Sequence, residues 1–155
     1  MKVNKLIKNL LIYFALISIG FAFGKNSLNR NISKNTQFVL NSNKNYVAVF
    51  YMHSTFRCAS CNKIEKMTQV LLEQNYSDEL QNGQIKWKDI DFQENINLAK
   101  KFKVIASCVV VSTVKNGEYF DIKRLDDVWT LMNNPIEFDL YLSKAININF
   151  KKLKE

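Results

Sequence analysis

The stretch VAVFYMHSTFRCASCNKIE, residues 47–65, decides how the rest of the chain is read. With Tyr46 before it, its first part is a continuous apolar, β-branched and aromatic run to Met52. That length and composition predict a strand buried on both faces. After HSTFR the period changes. Ile64, Met67 and Leu71 recur at helical spacing, with Val70 and Leu72 widening the apolar face, while Lys63, Glu65, Lys66, Gln69 and Glu73 fill the other side. Cys58 and Cys61 therefore fall where a buried strand hands over to an amphipathic helix. Cys58 is expected at or near the helix N-cap and Cys61 one turn in. The free amide N–H groups and the helix dipole at that end stabilise a thiolate. Cysteines three apart at a helix start can also approach closely enough to bond.

The spacing alone leaves three readings open. The pair can be a redox dithiol, part of a metal site, or two small structural cysteines. The chain holds three cysteines and one histidine, a four-ligand set only if Cys58, Cys61, Cys108 and His53 meet. No second CxxC supports that set. Cys108 reads first as a small core residue and His53 as a satisfied loop histidine, and Arg57 reads equally as a charge that favours the first cysteine's thiolate or simply an exposed one. Trp87 and Trp129 read as core.

Downstream, the helix is expected to end by about Gly83. IKWKDIDF (85–92) alternates and predicts a strand with Ile85 and Trp87 on one face. Leu98, Ala99 and Phe102 suit a short helix. SCVVVSTV (107–114) predicts another buried strand, which runs into Asn116-Gly117, a strong hairpin signal before YFDIKRL. Asp126 or Asp127 can cap a helix through Trp129 and Met132. Asn134-Pro135 restarts a helix carrying Phe138, Tyr141, Leu142 and Ala145 on its apolar face. The expected architecture is α/β, three α/β/α layers around a mixed central sheet.

Residues 1–24 begin with Lys2, Lys5 and Lys8, contain no Asp or Glu, and continue into an apolar run from Leu10 to about Phe23. They read as a secretory signal, or as an uncleaved N-terminal anchor. Residues 25–45 read as a flexible lead with an apolar island at 38–40, and 46–150 as the folded domain. Export to an oxidising compartment permits disulfides. The net charge is +8, but outside the first 24 residues it falls to 19 basic against 14 acidic side chains, interleaved along the chain. Lys151, Lys152 and Lys154 read as a solvated tail. No basic-aromatic surface motif points to nucleic acid, and no glycine-rich phosphate loop points to an organic cofactor.

In these residues the chain resembles the thioredoxin superfamily over about residues 46–146. VAVFYMHSTFRCASCNKIE is similar to its active-site strand and helix, and FKVIASCVVVSTVKNGE (102–118) to the segment that carries a cis-proline and then a hairpin. More narrowly, HSTFRCASCNKIE and DDVWTLMNNPIEFDLYL (126–142) resemble small exported bacterial thioredoxin-like proteins named the nitrophenyl-compound nitroreductase ArsF-subunit family. The superfamily resemblance implies a thioredoxin-like fold and thiol-disulfide exchange. By position, Cys58 takes the nucleophile's role and Cys61 the resolving role, and no metal or organic cofactor is assigned; the alternative is a thioredoxin-fold metal-binding or electron-relay accessory using Cys58, Cys61 and Cys108. Ser107 stands in the cis-proline position with Cys108 just after it, which implies a substrate-binding edge there and sets the Cys108 thiol beside the pair across the sheet, where it could resolve a disulfide or complete a three-cysteine metal site. The implied partners are a protein thiol or disulfide or an envelope redox partner, with membrane contact only through the N-terminal segment and a monomeric domain. Departures are plain. Ala59-Ser60 replaces Gly-Pro between the cysteines, and no Asp or Glu lies between Tyr46 and Arg57. A cis bond before Ser107 would cost about 2.5–4 kcal/mol, so a trans peptide is expected.

Overall fold

A computed structural model describes residues 45–155, together with Tyr13. Apart from Tyr13, the expected export segment (1–24) lies outside the described residues, as do nearly all of the lead and its apolar island at 38–40. In chain order the elements are β1 (Tyr46–His53), α1 (Ala59–Asn75), α2 (Ser77–Gln81), β2 (Ile85–Asp91), α3 (Ile96–Phe102), β3 (Cys108–Lys115), β4 (Glu118–Leu125), α4 (Val128–Leu131) and α5 (Pro135–Lys154).

The strands form one sheet in the order β2-β1-β3-β4. β1 runs parallel to β2 and antiparallel to β3, and β3 is antiparallel to β4. β1 and β3 are the inner strands, and this is why they are the two unbroken apolar runs. All eight residues of β1 are buried, as are the first seven of β3. Successive side chains alternate between two cores. Val47, Val49 and Tyr51, with Val109 and Val111, meet Ile64, Leu71 and Leu72 of α1 and Phe138, Leu142, Ala145 and Ile146 of α5. Tyr46, Ala48, Phe50 and Met52, with Cys108, Val110 and Val114, meet Ala99 and Phe102 of α3. The result is the expected three-layer α/β thioredoxin-like fold with a mixed sheet. Each buried Leu or Ile of α1 contributes about 1.5–3 kcal/mol by leaving water.

The hairpin falls where Asn-Gly predicts it. Asn116 and Gly117 both take positive φ, 52° and 80°, as a two-residue I′ turn requires. Asn134 caps α5 by accepting a hydrogen bond from the Glu137 N–H, with Pro135 in the first turn.

Four expectations change. The helix after the cysteines is not continuous. It ends at Asn75, because Tyr76 leaves helical geometry to bury its ring and stack on Phe150. The short α2 then closes at Gly83, whose φ of 77° suits glycine. Val70 does not widen the apolar face of α1; it turns outward, and Thr68 takes the buried place with its hydroxyl donating to the Ile64 carbonyl at 2.9 Å. Asp127 precedes α4 but its side chain makes no cap bond, and the helix stops at Leu131. The lysines at 151, 152 and 154 form the last turn of α5, where Lys152 pairs with Asp121. No helix among the described residues is long and apolar enough to cross a membrane.

Candidate redox site

The chain between β1 and α1 is tied to the turn after β2 before it reaches the cysteines. The Phe92 N–H donates to the His53 carbonyl at 2.9 Å, and the Thr55 N–H donates to Gln93 Oε1 at 2.8 Å. Asp91 anchors the facing turn. Burial pushes its carboxyl up, but the Thr55 hydroxyl and the N–H groups of Gln93 and Glu94 outweigh that and hold it below the usual carboxylate range. The loop therefore delivers Cys58 to the head of α1 from fixed points.

Cys58 is the N-cap of α1, with extended φ and ψ of −91° and 167°. Its sulfur accepts the Cys61 N–H at 3.2 Å and lies 2.6 Å from the Cys61 sulfur. Cys58 is partly exposed and Cys61 is buried. The first turn of α1 carries no acidic side chain, so no like charge opposes a thiolate there. The Cys58 thiol is accordingly held below the ordinary thiol value. The Cys61 thiol donating to it is the largest cause and the Cys61 N–H the next; burial opposes, and the amides of Ser60 and Cys58 itself add to the lowering. This is an outer nucleophile with an inner sulfur facing it.

Arg57 is spent elsewhere. Its guanidinium pairs with Glu65 and lies over the Tyr51 ring, 5.7 Å from the centroid. It is not among the groups that lower the Cys58 thiol. His53 is buried in β1. Its Nδ1 donates to the Ser54 carbonyl at 2.9 Å and its Nε2 lies 3.7 Å from Asp89 on β2, which satisfies it as a structural histidine.

The expectation that the Cys108 thiol stands beside the pair is corrected. Cys108 pairs with Met52 across β1 and β3 and shares its face. Cys61 heads the helix packed on the opposite face. The Cys108 thiol is sealed in the second core, where burial pushes it up to about 12. The three-cysteine metal or resolving set is therefore not assembled, and among the described residues no group of three or more His, Cys, Asp or Glu could hold a metal ion.

Ser107 stands at the entry to β3, nearly buried, and the described residues contain no cis peptide. Its carbonyl accepts the Trp129 indole N–H at 2.6 Å. Trp129 packs against the α1-side core as expected and, through this bond, also clamps the Ser107 loop. Trp87 packs against the α1 side of the sheet as expected. Two further residues escaped the sequence reading. Phe56, two before Cys58, is 82% exposed, and Ile105, two before Ser107, is 86% exposed. The Met52–Cys108 pairing brings both loops to one end of the sheet. An apolar residue in a polar loop beside a cysteine is the signal that could have found Phe56.

No protein-family model and no curated protein sequence matches the chain. Among solved structures it is similar to mitochondrial thioredoxin 3 of Saccharomyces cerevisiae in its oxidized form, at 19% identity over 75% of this chain and 88% of that one, with a TM-score of 0.45. It is also similar to Fasciola hepatica thioredoxin, at 17% identity over 68% and 93% of the two chains and a TM-score of 0.44. Malassezia sympodialis thioredoxin gives 19% identity over 67% and 87%, again with 0.44. At these scores the likeness adds no weight. The thioredoxin-like fold rests on strand order, pairing and layers, and its CxxC pair sits at the head of the first helix after the central strand.

Proposed function

We propose that this protein exchanges thiols and disulfides through Cys58 and Cys61. The observation that carries the reading is the Cys58 sulfur at a helix N-cap, 2.6 Å from the Cys61 sulfur, with its acidity raised by that contact. The Cys58 thiolate attacks one sulfur of a substrate disulfide R–S–S–R′. A Cys58–S–S–R bond forms and R′–S⁻ leaves and is protonated. Cys61 then gives up its proton and attacks the Cys58 sulfur. The Cys58–Cys61 bond forms, and the second substrate sulfur leaves as R–SH. Two electrons pass from the cysteine pair to the substrate, and the reverse sequence oxidises a dithiol. The electrons travel in sulfur–sulfur bonds, so the exchange itself calls for no cofactor.

Phe56 and Ile105 give the exposed side of the pair an apolar border, which suits a protein thiol or disulfide better than a small charged one. The export segment read at 1–24 and the narrower resemblance through residues 53–65 and 126–142 support an extracytoplasmic redox partner. The test is redox titration of the mature protein with thiol trapping and mass spectrometry, between about −350 and −100 mV. A Cys58–Cys61 disulfide with a two-electron midpoint in that window is expected. If the pair never closes there, the reading is wrong.

A further inference from the structure

Two buried side-chain atoms have no hydrogen-bond partner among the described residues, the Tyr51 hydroxyl and the Arg57 Nε. Both belong to side chains that border the cysteine pair. Tyr51 is fully buried in β1, on the face that α1 covers. Its ring lies under the guanidinium of Arg57, the residue before Cys58, which itself pairs with Glu65. A buried hydroxyl without a partner is costly in a resting fold. It is explained where an acceptor develops during a reaction.

The charged and titratable groups around this hydroxyl narrow what it can do. Cys61 and Cys58 face it from α1 and its cap; negative charge on either sulfur disfavours a phenolate, and so does the hydroxyl's alignment toward the Cys61 sulfur, which lies beyond full hydrogen-bond distance in the resting fold. Arg57 opposes that effect more weakly. His53 follows on the same strand, its ring 5.9 Å from that of Tyr51, and Asp89 is the register partner on β2, exposed and turned to His53. Val109 on β3 brings no charge. Burial, the largest influence, raises the phenol well above its ordinary range. Tyr51 therefore keeps its proton and acts as the donor toward a thiolate.

We infer that Tyr51 is a positioning residue for the resolving step, its hydroxyl donating a hydrogen bond to the Cys61 sulfur as that sulfur becomes negative. This rests on the exchange reading above. The Cys61 proton ends on the departing substrate sulfur; the Tyr51 proton never leaves its oxygen. With no carboxylate on β1, the hydroxyl is the polar group that this strand offers the inner cysteine.

The test is a pre-formed mixed disulfide on Cys58, with release of a chromogenic thiol followed as Cys61 closes the pair. Tyr51→Phe keeps the ring and removes the orphan hydroxyl. It is expected to slow closure about ten-fold, the size of one hydrogen bond to a charged group, and to move the pH–rate profile of closure to higher pH. The first attack, measured as Cys58 alkylation in a Cys61→Ser background, stays unchanged. A fluorinated tyrosine at position 51, a stronger donor of nearly the same shape, moves the closure profile to lower pH and keeps the question answerable if Tyr51→Phe does not fold. Unchanged closure in either folded protein overturns the inference and leaves the exchange reading standing. A wild-type pair that never closes overturns both.

Discussion

The Trp129 indole N–H donates to the backbone carbonyl of Ser107 at 2.6 Å, joining α4 to the loop that enters β3. That carbonyl lies where the superfamily resemblance implies a substrate-binding edge. One of its acceptor sites is already taken by the protein itself. The bond fixes the loop carrying Ile105 at the end of the sheet where Cys58 emerges. Trp129→Phe keeps an aromatic side chain of smaller size, removes the donor and leaves a buried residue's carbonyl without that bond. The expected cost is about 1–3 kcal/mol in urea unfolding. Reduction of a peptide disulfide is expected to lose several-fold in KM with kcat unchanged, and exchange with a small dithiol to stay the same. An equal loss on both substrates would place Trp129 in the fold alone.

Cys108 gives a prediction of opposite sign for reactivity. Its thiol is fully buried and held near 12, so at pH 8 it is almost wholly protonated. Iodoacetamide on the reduced native protein is expected to modify Cys58 first and Cys108 only after unfolding, as peptide mapping reads directly. Cys108→Ser places a hydroxyl among Met52, Val110 and Phe102. It is expected to cost about 1–3 kcal/mol of stability and to leave the Cys58–Cys61 midpoint potential where it was. A shift of that potential would mean that the third thiol takes part.

How much of this could be read in advance depends on whether the signal is local. The junction at 47–65 is legible because a two-sided buried strand and a 3.6-residue period meet at Cys58, and both signals are carried by neighbouring residues. The hairpin is legible for the same reason: positive φ at Asn116-Gly117 is a property of those two residues. Cys108 was misplaced because alignment along the chain says which loop a residue enters, while strand alternation says which face it takes. Cys108 keeps step with Val110 and Val114, away from α1. Tyr51 keeps step with Val47 and Val49, under it. Counting by twos from either strand would have separated them. The Trp129–Ser107 bond spans 22 residues, and nothing local in either segment announces it. Thr68 shows the remaining gap: a threonine inside a helical face reads as polar until its hydroxyl is seen turned back to the Ile64 carbonyl.

A buried polar pair fixes α5 against the sheet. The Thr113 hydroxyl donates to Asn149 Oδ1 at 2.8 Å, and Asn149 Nδ2 donates to the Ala145 carbonyl at 3.0 Å. Both residues are buried on the α5 side, among side chains that are otherwise apolar. Thr113→Val matches the shape and strands the Asn149 oxygen. A loss of about 1–3 kcal/mol is expected, read by chemical denaturation. Changing both residues together, Thr113→Val with Asn149→Leu, is expected to cost less than the two single losses added, because no unpaired group remains. Full additivity would show that the two side chains do not interact.

The last prediction concerns Cys58 itself. Its folded-state thiol lies below the ordinary value, chiefly because the Cys61 thiol donates to it and next because the Cys61 N–H does. The signs follow. Above the ordinary thiol range the thiolate is present in folded and unfolded chains alike, and the stabilisation of the reduced fold is complete. As pH falls through the depressed folded value, Cys58 protonates, and both that stabilisation and the nucleophile are lost. The pH profile of Cys58 alkylation is therefore expected to lie at lower pH than that of an unstructured cysteine peptide, with the rate falling as pH drops through the depressed folded value. Cys61→Ala removes the largest cause but keeps the backbone N–H at that position. Its alkylation profile is expected to move to higher pH without returning fully to that of an unstructured cysteine peptide. A Cys61→Ala profile identical to wild type would show that the helix terminus alone sets the acidity of Cys58; one identical to the peptide would assign it all to the partner thiol.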